Sequence, residues 1–211
     1  MPTILEETEI KLERVDMHKR SPISIPVSKQ GLLMEPSRAA GIHLSGVLRY
    51  VAVTCGLMKV LQSIEEEEDL PLRMAMGHAW EEFAASFYPD MAWQPGAISA
   101  GGISMTCDGH SFEPAFTIDE FKLTWKKVKT AEEMLRDEWY WQQQGRGYAW
   151  GYEALRVRWH VCYVNGNYRN SGPIYMRYLI EYTEKEIAST GRLLEKNKQA
   201  AVDNGYAEKG M

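Results

Sequence analysis

The chain has 211 residues, 45% of them hydrophobic and 25% charged, with a formal net charge of −5. That length suits one domain with a sizeable core, and that balance excludes a disordered or membrane-embedded chain. The acidic total counts against DNA binding, but part of it is one solvated run, Glu65 to Asp69, and phosphate recognition needs a basic patch rather than a basic total.

Residues 1–40 read as an extended N-terminal arm, punctuated by Pro22, Pro26 and Pro36, that packs on the domain or on a neighbouring copy in a homo-oligomer. The first twenty residues carry Glu6, Glu7, Glu9, Lys11 and Arg14 without an apolar run, so no secretory signal is expected. Ser45 is the expected N-cap of a helix over 46–63, with Val47, Val51, Cys55 and Met58 on one stripe. This most apolar stretch carries Arg49 and Lys59 and is too short to span a bilayer, so a cytoplasmic protein with no membrane partner is expected. A second helix is expected over 73–88, burying Met76, Trp80, Phe83 and Phe87. His78 and Glu81 share another side of it. His78 reads as a partly buried polar residue, and Glu81 as the better metal-ligand candidate, with Glu82 its rival.

Residues 89–102 read as loop. Ile103, Met105 and Cys107 alternate with Ser104, Thr106 and Asp108, which is a strand signal, and Asp108-Gly109 reads as its turn. Residues 115–125 read as the returning strand, on which Glu120 and Lys122 project from one face and Phe121 and Leu123 from the other. A helix over 131–153 opens on a capping box, Thr130 with Glu133, and carries Gln144 and Tyr148 on one face. Its many aromatics read either as a buried helix or as a wall on which unpaired bases stack. Its glycines, Gly145, Gly147 and Gly151, suit close approach of a backbone or of DNA. Strands over 155–164 and 173–182 flank an Asn165-Gly166 turn, and a helix over 183–202 precedes a flexible tail, 203–211. The expected fold is a single α/β domain over 41–202, a central mixed sheet flanked by helices.

Neighbouring strands can bring Asp108, Glu120 and Lys122 together. Paired carboxylates repel unless a cation lies between them, and a hard divalent ion, Mg²⁺ or Mn²⁺, takes oxygen ligands of this kind. Asp108, Glu120 and the backbone carbonyl of Phe121 are the expected ligands, and Lys122 is placed to orient a water or offset charge on a phosphate. Lys126, Lys127 and Arg146 are the expected contacts to DNA phosphates. A Glu-x-Lys pair by itself would be an ordinary cross-strand ion pair, and Gln144 with Tyr148 an ordinary helix face. The order of the elements gives them weight.

That order resembles the PD-(D/E)XK nuclease superfamily, whose hallmark is an Asp followed by an acid-x-Lys on the next strand. The Gln144-x-x-x-Tyr148 pair is similar to the RecB-type branch, which includes lambda-like phage exonucleases. Gly77-His78-Ala79-Trp80-Glu81 looks like the earlier helical acid element of that branch. Cys107 stands where the superfamily often has Pro. The resemblance covers residues 74–150 by motif. It implies a restriction-endonuclease-like core and a metal-dependent DNA exonuclease, active in recombination or end processing with a recombination protein as partner. Gln144, Tyr148 and Glu81 take their site roles from it. An endonuclease of the same superfamily and a non-catalytic nucleic-acid-binding module are the alternatives. Some members carry a four-Cys iron–sulfur cluster; Cys55, Cys107 and Cys162 are too few and too scattered, so none is expected.

Overall fold

A computed structural model describes residues 1–10, 41–57, 70–113, 115–165 and 172–207, with backbone only for 70–74. Eight strands are described: β1 Thr3–Ile10, β2 Ala92–Trp93, β3 Ile98–Ala100, β4 Ile103–Met105, β5 Gly109–Ser111, β6 Thr117–Thr124, β7 Arg156–Tyr163 and β8 Ile174–Glu181. Six form a mixed sheet in the order β1-β8-β7-β6-β5-β2, while β3 and β4 form a separate pair. Only β6 and β7 run parallel; the other pairs are antiparallel. A parallel step needs a long crossover, and helices α3 Ala131–Asp137 and α4 Trp139–Gly151 supply it.

Both faces of the sheet are covered, so β7 and β8 are buried over most of their length. On one face Ile118, Val157, Trp159, Val161, Tyr178 and Ile180 share the main core with residues of α1 Leu44–Thr54, α4 and α5 Glu184–Asp203. On the other, α2 Leu70–Ala85 lays Trp80 and Ala84 against Phe121, Cys162 and Tyr175. Gly145 and Gly147 serve packing: a Cβ at either would meet Trp159 at 2.5 Å or Leu44 at 2.8 Å.

The expected single α/β domain with a mixed sheet is what the structure has, with differences in detail. Residues 3–10, expected in the arm, form edge strand β1 on β8, where Arg177 holds Glu6; residues 11–40 lie outside the described ones. Helix α1 starts from His43 rather than Ser45 and ends at Cys55, before Gly56 at φ +69°; the expected continuation over 58–63 lies outside the described residues. In α2, Trp80 is buried as expected, but Met76 is 37% exposed and stays out of the cluster that Trp80 joins. The expected loop 89–102 contains β2 and β3. Asp108-Gly109 is not a turn: Gly109 opens β5, where a Cβ would sit 2.7 Å from Met91 Sδ. Strand β4 therefore pairs with β3, and it is β5 that pairs with β6. The helix expected over 131–153 breaks at Glu138, φ −101° and ψ 60°, whose carboxylate accepts from Lys126 at 2.6 Å and Lys129 at 2.7 Å. Its Thr130–Glu133 capping box forms, and a second, Thr183–Glu186, opens α5. The turn expected at Asn165-Gly166 runs out of the described residues. No helix among the described residues is long and apolar enough to cross a membrane.

Candidate active site

Strand β6 is paired along its whole length on the β7 side, but on the β5 side pairing stops at Gly109↔Asp119. Beyond that point the Asp108 side chain takes over, its Oδ2 accepting the Phe121 N–H at 2.8 Å. A strand residue points its N–H and C=O to the same side, so the Phe121 carbonyl faces this open edge too. Glu120 and Lys122 leave β6 on the α4 face, and Lys122 Nζ donates to Glu120 Oε2 at 2.9 Å and lies 4.0 Å from Asp108 Oδ2. The ammonium also sits over the Trp159 ring at 5.7 Å. Glu81 reaches the same cluster from α2, close enough for its charge to be felt by Lys122, and lies 3.5 Å from His78 Nδ1. Glu82, its rival, is exposed. The structure thus brings Glu81, Asp108, Glu120, Phe121 and Lys122 to one place.

The charges there do not balance. Burial, reinforced by Asp108, pushes the Glu120 carboxyl up to about 8 and that of Glu81 up to about 7. Burial would lower the Lys122 ammonium, but Glu120 and Asp108 outweigh it and hold its pKa above the usual lysine range. Lys122 is therefore a fixed cation, and three carboxyls crowd it; without a second cation, Glu120 and Glu81 relieve the crowding by holding protons. Glu120 Oε1 is buried and has no hydrogen-bond partner, which an ordinary structural carboxylate avoids.

That orphaned oxygen, and three carboxyls gathered round one ammonium, fit a hard divalent cation that would displace their protons. No three His, Cys, Asp or Glu side chains among the described residues form a ready-made metal cage. The donor set is that of an ion such as Mg²⁺, which uses one or two carboxylates and keeps most of its water, rather than of Zn²⁺ or Ca²⁺.

The Gln144 and Tyr148 pair lies beside these carboxylates. Gln144 Nε2 donates to the Tyr148 hydroxyl at 3.3 Å, and burial, then Glu120 and Asp108, keep that phenol protonated well past its usual range. The Tyr148 ring itself is 7% exposed, packed in the main core, so its hydroxyl and not its face is what it offers. The three expected phosphate contacts scatter. Lys126 is paired with Glu138 and lies over Trp141 at 5.5 Å, and Lys127 is exposed. Arg146 projects elsewhere, donating to the Gln142 carbonyl at 3.2 Å and lying over the Tyr182 ring.

Asp119 belongs to none of the sequence motifs above. It leaves β6 opposite Glu120, fully buried, and accepts from Ser111 Oγ at 2.9 Å, Arg158 Nη1 at 3.1 Å and His160 Nε2 at 2.9 Å. An acid on the apolar face of a strand covered on both sides is the signal that would have found it. Burial raises the Asp119 carboxyl, but His160 and Arg158 outweigh it and hold it below 3.8; burial lowers His160 below 6.5 against the pull of Asp119. Both groups bind fewer protons folded than unfolded, so their contribution is present above 6.5 and is lost as pH falls. Between pH 7 and 5, His160 should lower stability by up to about 1.4 kcal/mol per pH unit. Glu81 and Glu120 act in the opposite sense, so the comparison is with His160→Gln, which keeps a donor without a titrating ring. Urea midpoints across that range should fall more steeply for the wild type; parallel curves would contradict this.

No protein-family model matches this chain. Among curated proteins there is no match either. Solved structures include distant likenesses to this chain. One is to the crystal structure of SSO0001, with 15% identity, a TM-score of 0.45 and 75% of each chain covered. The other is to a phage-related exonuclease from Haemophilus somnus 129PT, with 10% identity and a TM-score of 0.44, covering 76% of this chain and 80% of that one.

Proposed function

We propose that this chain is a divalent-metal-dependent deoxyribonuclease of the PD-(D/E)XK type, an exonuclease that hydrolyses DNA phosphodiesters from ends. The observation that carries it is the open edge of β6, where Glu81, Asp108 and Glu120 crowd one fixed cation and leave Glu120 Oε1 unpartnered. Asp108, Glu120 and the Phe121 carbonyl would hold Mg²⁺ or Mn²⁺, with Glu81 completing the acidic wall. Such an ion acidifies a bound water and offsets charge gathering on the phosphate.

The side chains divide the remaining work. Lys122 keeps its proton, so it steadies developing negative charge and does not act as a base. Tyr148, also protonated, is a donor at the border of the site, and Gln144 steadies its hydroxyl. The exonuclease form, with DNA as substrate and recombination or end processing as setting, rests on the Gln144–Tyr148 pair. Lys126 and Lys127 are the phosphate contacts nearest in sequence to Lys122, and Arg146 is not among them.

Tyr148→Phe and Gln144→Ala each remove one hydrogen bond, about 1 kcal/mol. Each should slow digestion of DNA ends by roughly fivefold and leave Mn²⁺ affinity unchanged. Single-turnover digestion of an end-labelled linear duplex measures the first effect. Covalently closed circles should resist the wild type under the same conditions. Efficient cutting of closed circles would promote the endonuclease form and leave the metal site standing.

A further inference from the structure

Behind the carboxylate cluster, on the α2 face of the sheet, a chain of hydrogen bonds runs in one direction. Arg177 Nη1 meets the Tyr88 hydroxyl at 3.5 Å, Tyr88 meets the Tyr175 hydroxyl at 2.8 Å, and Tyr175 meets His160 Nδ1 at 2.6 Å. His160 Nε2 meets Asp119 Oδ1 at 2.9 Å. An ionised Asp119 requires the proton on Nε2, so Nδ1 accepts from Tyr175 and Tyr175 accepts from Tyr88. The Tyr88 and Tyr175 hydroxyls and the His160 N–H then each donate once, ending on Asp119. Polarised chains of this kind strengthen one another away from water.

The chain joins the two elements that carry the site. Tyr88 follows α2 directly, its N–H bonded to the Ala85 carbonyl at 2.9 Å. The Tyr175 ring meets Trp80, the residue before Glu81, edge-on at 4.9 Å. At the other end Asp119 precedes Glu120, and His160 stacks on Phe121 at 4.4 Å with the rings 14° apart. Glu81 comes from α2, Glu120 and Lys122 from β6, and Asp108 is held against β6 by the Phe121 N–H. Among the described residues, this hydrogen-bond chain ties the end of α2 to β6 beside the apolar packing.

We propose that Tyr88, Tyr175 and His160 are positioning residues: their hydrogen-bond chain locks the end of α2 to β6 and so sets Glu81 against Asp108 and Lys122. This rests on the metal-dependent reading above. Groups behind a metal site that orient its ligands typically change affinity about 10- to 100-fold when removed. The chain acts one step further back, so the lower end applies.

The test is Mn²⁺ binding followed by electron paramagnetic resonance, with no DNA present. Wild type, Asp108→Asn, Tyr88→Phe, Glu81→Gln and the double variant Tyr88→Phe/Glu81→Gln are compared. Tyr88→Phe should weaken Mn²⁺ binding about tenfold and have no further effect once Glu81 is Gln, because it acts through Glu81. Tyr175→Phe, which keeps its ring against Trp80, should behave the same way and serves if Tyr88→Phe does not fold. Wild-type affinity in a folded hydroxyl variant would overturn the positioning role, as would an equal loss with and without Glu81. In either case loss of Mn²⁺ in Asp108→Asn would leave the metal site intact. No Mn²⁺ binding by the wild type would overturn both.

Discussion

Asp108→Asn should lower DNA cleavage by more than about 100-fold, since a direct ligand matters more than the groups behind it, while the protein melts no lower than the wild type. The two halves of this result have separate causes. The carboxylate is one of the charges a cation would bind, so activity goes with it. Its structural task is to accept the Phe121 N–H at 2.8 Å where the β5 ladder ends, and an Asn carbonyl oxygen can do that. Removing the charge also relieves the repulsion that helps raise Glu120 and Glu81. Asp108→Ala should be equally inactive but less stable, by about 1–3 kcal/mol, because it strands a backbone donor. Melting curves in EDTA beside cleavage rates separate the variants; an active, well-folded Asp108→Asn protein would remove Asp108 from the site.

Lys122→Met should reduce turnover at saturating DNA by about 10²–10³-fold, the usual effect of losing one preorganised stabilising group, with only a modest change in DNA affinity. A variant that binds weakly but turns over normally would make Lys122 a plain phosphate contact. Stability gives a second reading. Glu120 has its carboxyl raised to about 8 from an unfolded value near 4.5, so the folded state binds the extra proton and loses stability as pH rises between them. Without Lys122 the carboxyl rises further. In EDTA the deficit of Lys122→Met relative to wild type should therefore widen as pH passes upward through 8.

Much of this was legible in the residues, and the failures have identifiable causes. The period of two placed Ile103, Met105 and Cys107 inward, and all three are buried. It also placed Glu120 with Lys122 on one face, and their ion pair follows. The Asp-Gly pair misled because glycine serves turns and close contacts alike, and Gly109 answers to Met91. The break at Glu138 is set by Lys126 and Lys129, one loop away in space, which no local propensity records. The aromatics of 131–153 read either as a buried helix or as a stacking wall, and the Tyr148 ring takes the first course, filling the core. Residues 3–10 lacked helical period and read as an arm; their strand exists because β8 offers an edge, and Arg177 a partner for Glu6. Asp119 and His160 were hidden because their hydrogen bonds join β5, β6, β7 and β8, and sequence spacing shows none of these pairings.

The most direct test is digestion of an end-labelled linear duplex by the purified protein, with Mg²⁺ or Mn²⁺ and then with EDTA, beside Asp108→Asn prepared identically. Labelled nucleotides should be released by the wild type only when the divalent ion is present, and by Asp108→Asn under neither condition. Release that persists in EDTA, release by folded Asp108→Asn, or none by the folded wild type with either ion would contradict a metal-dependent nuclease built on this edge of the sheet.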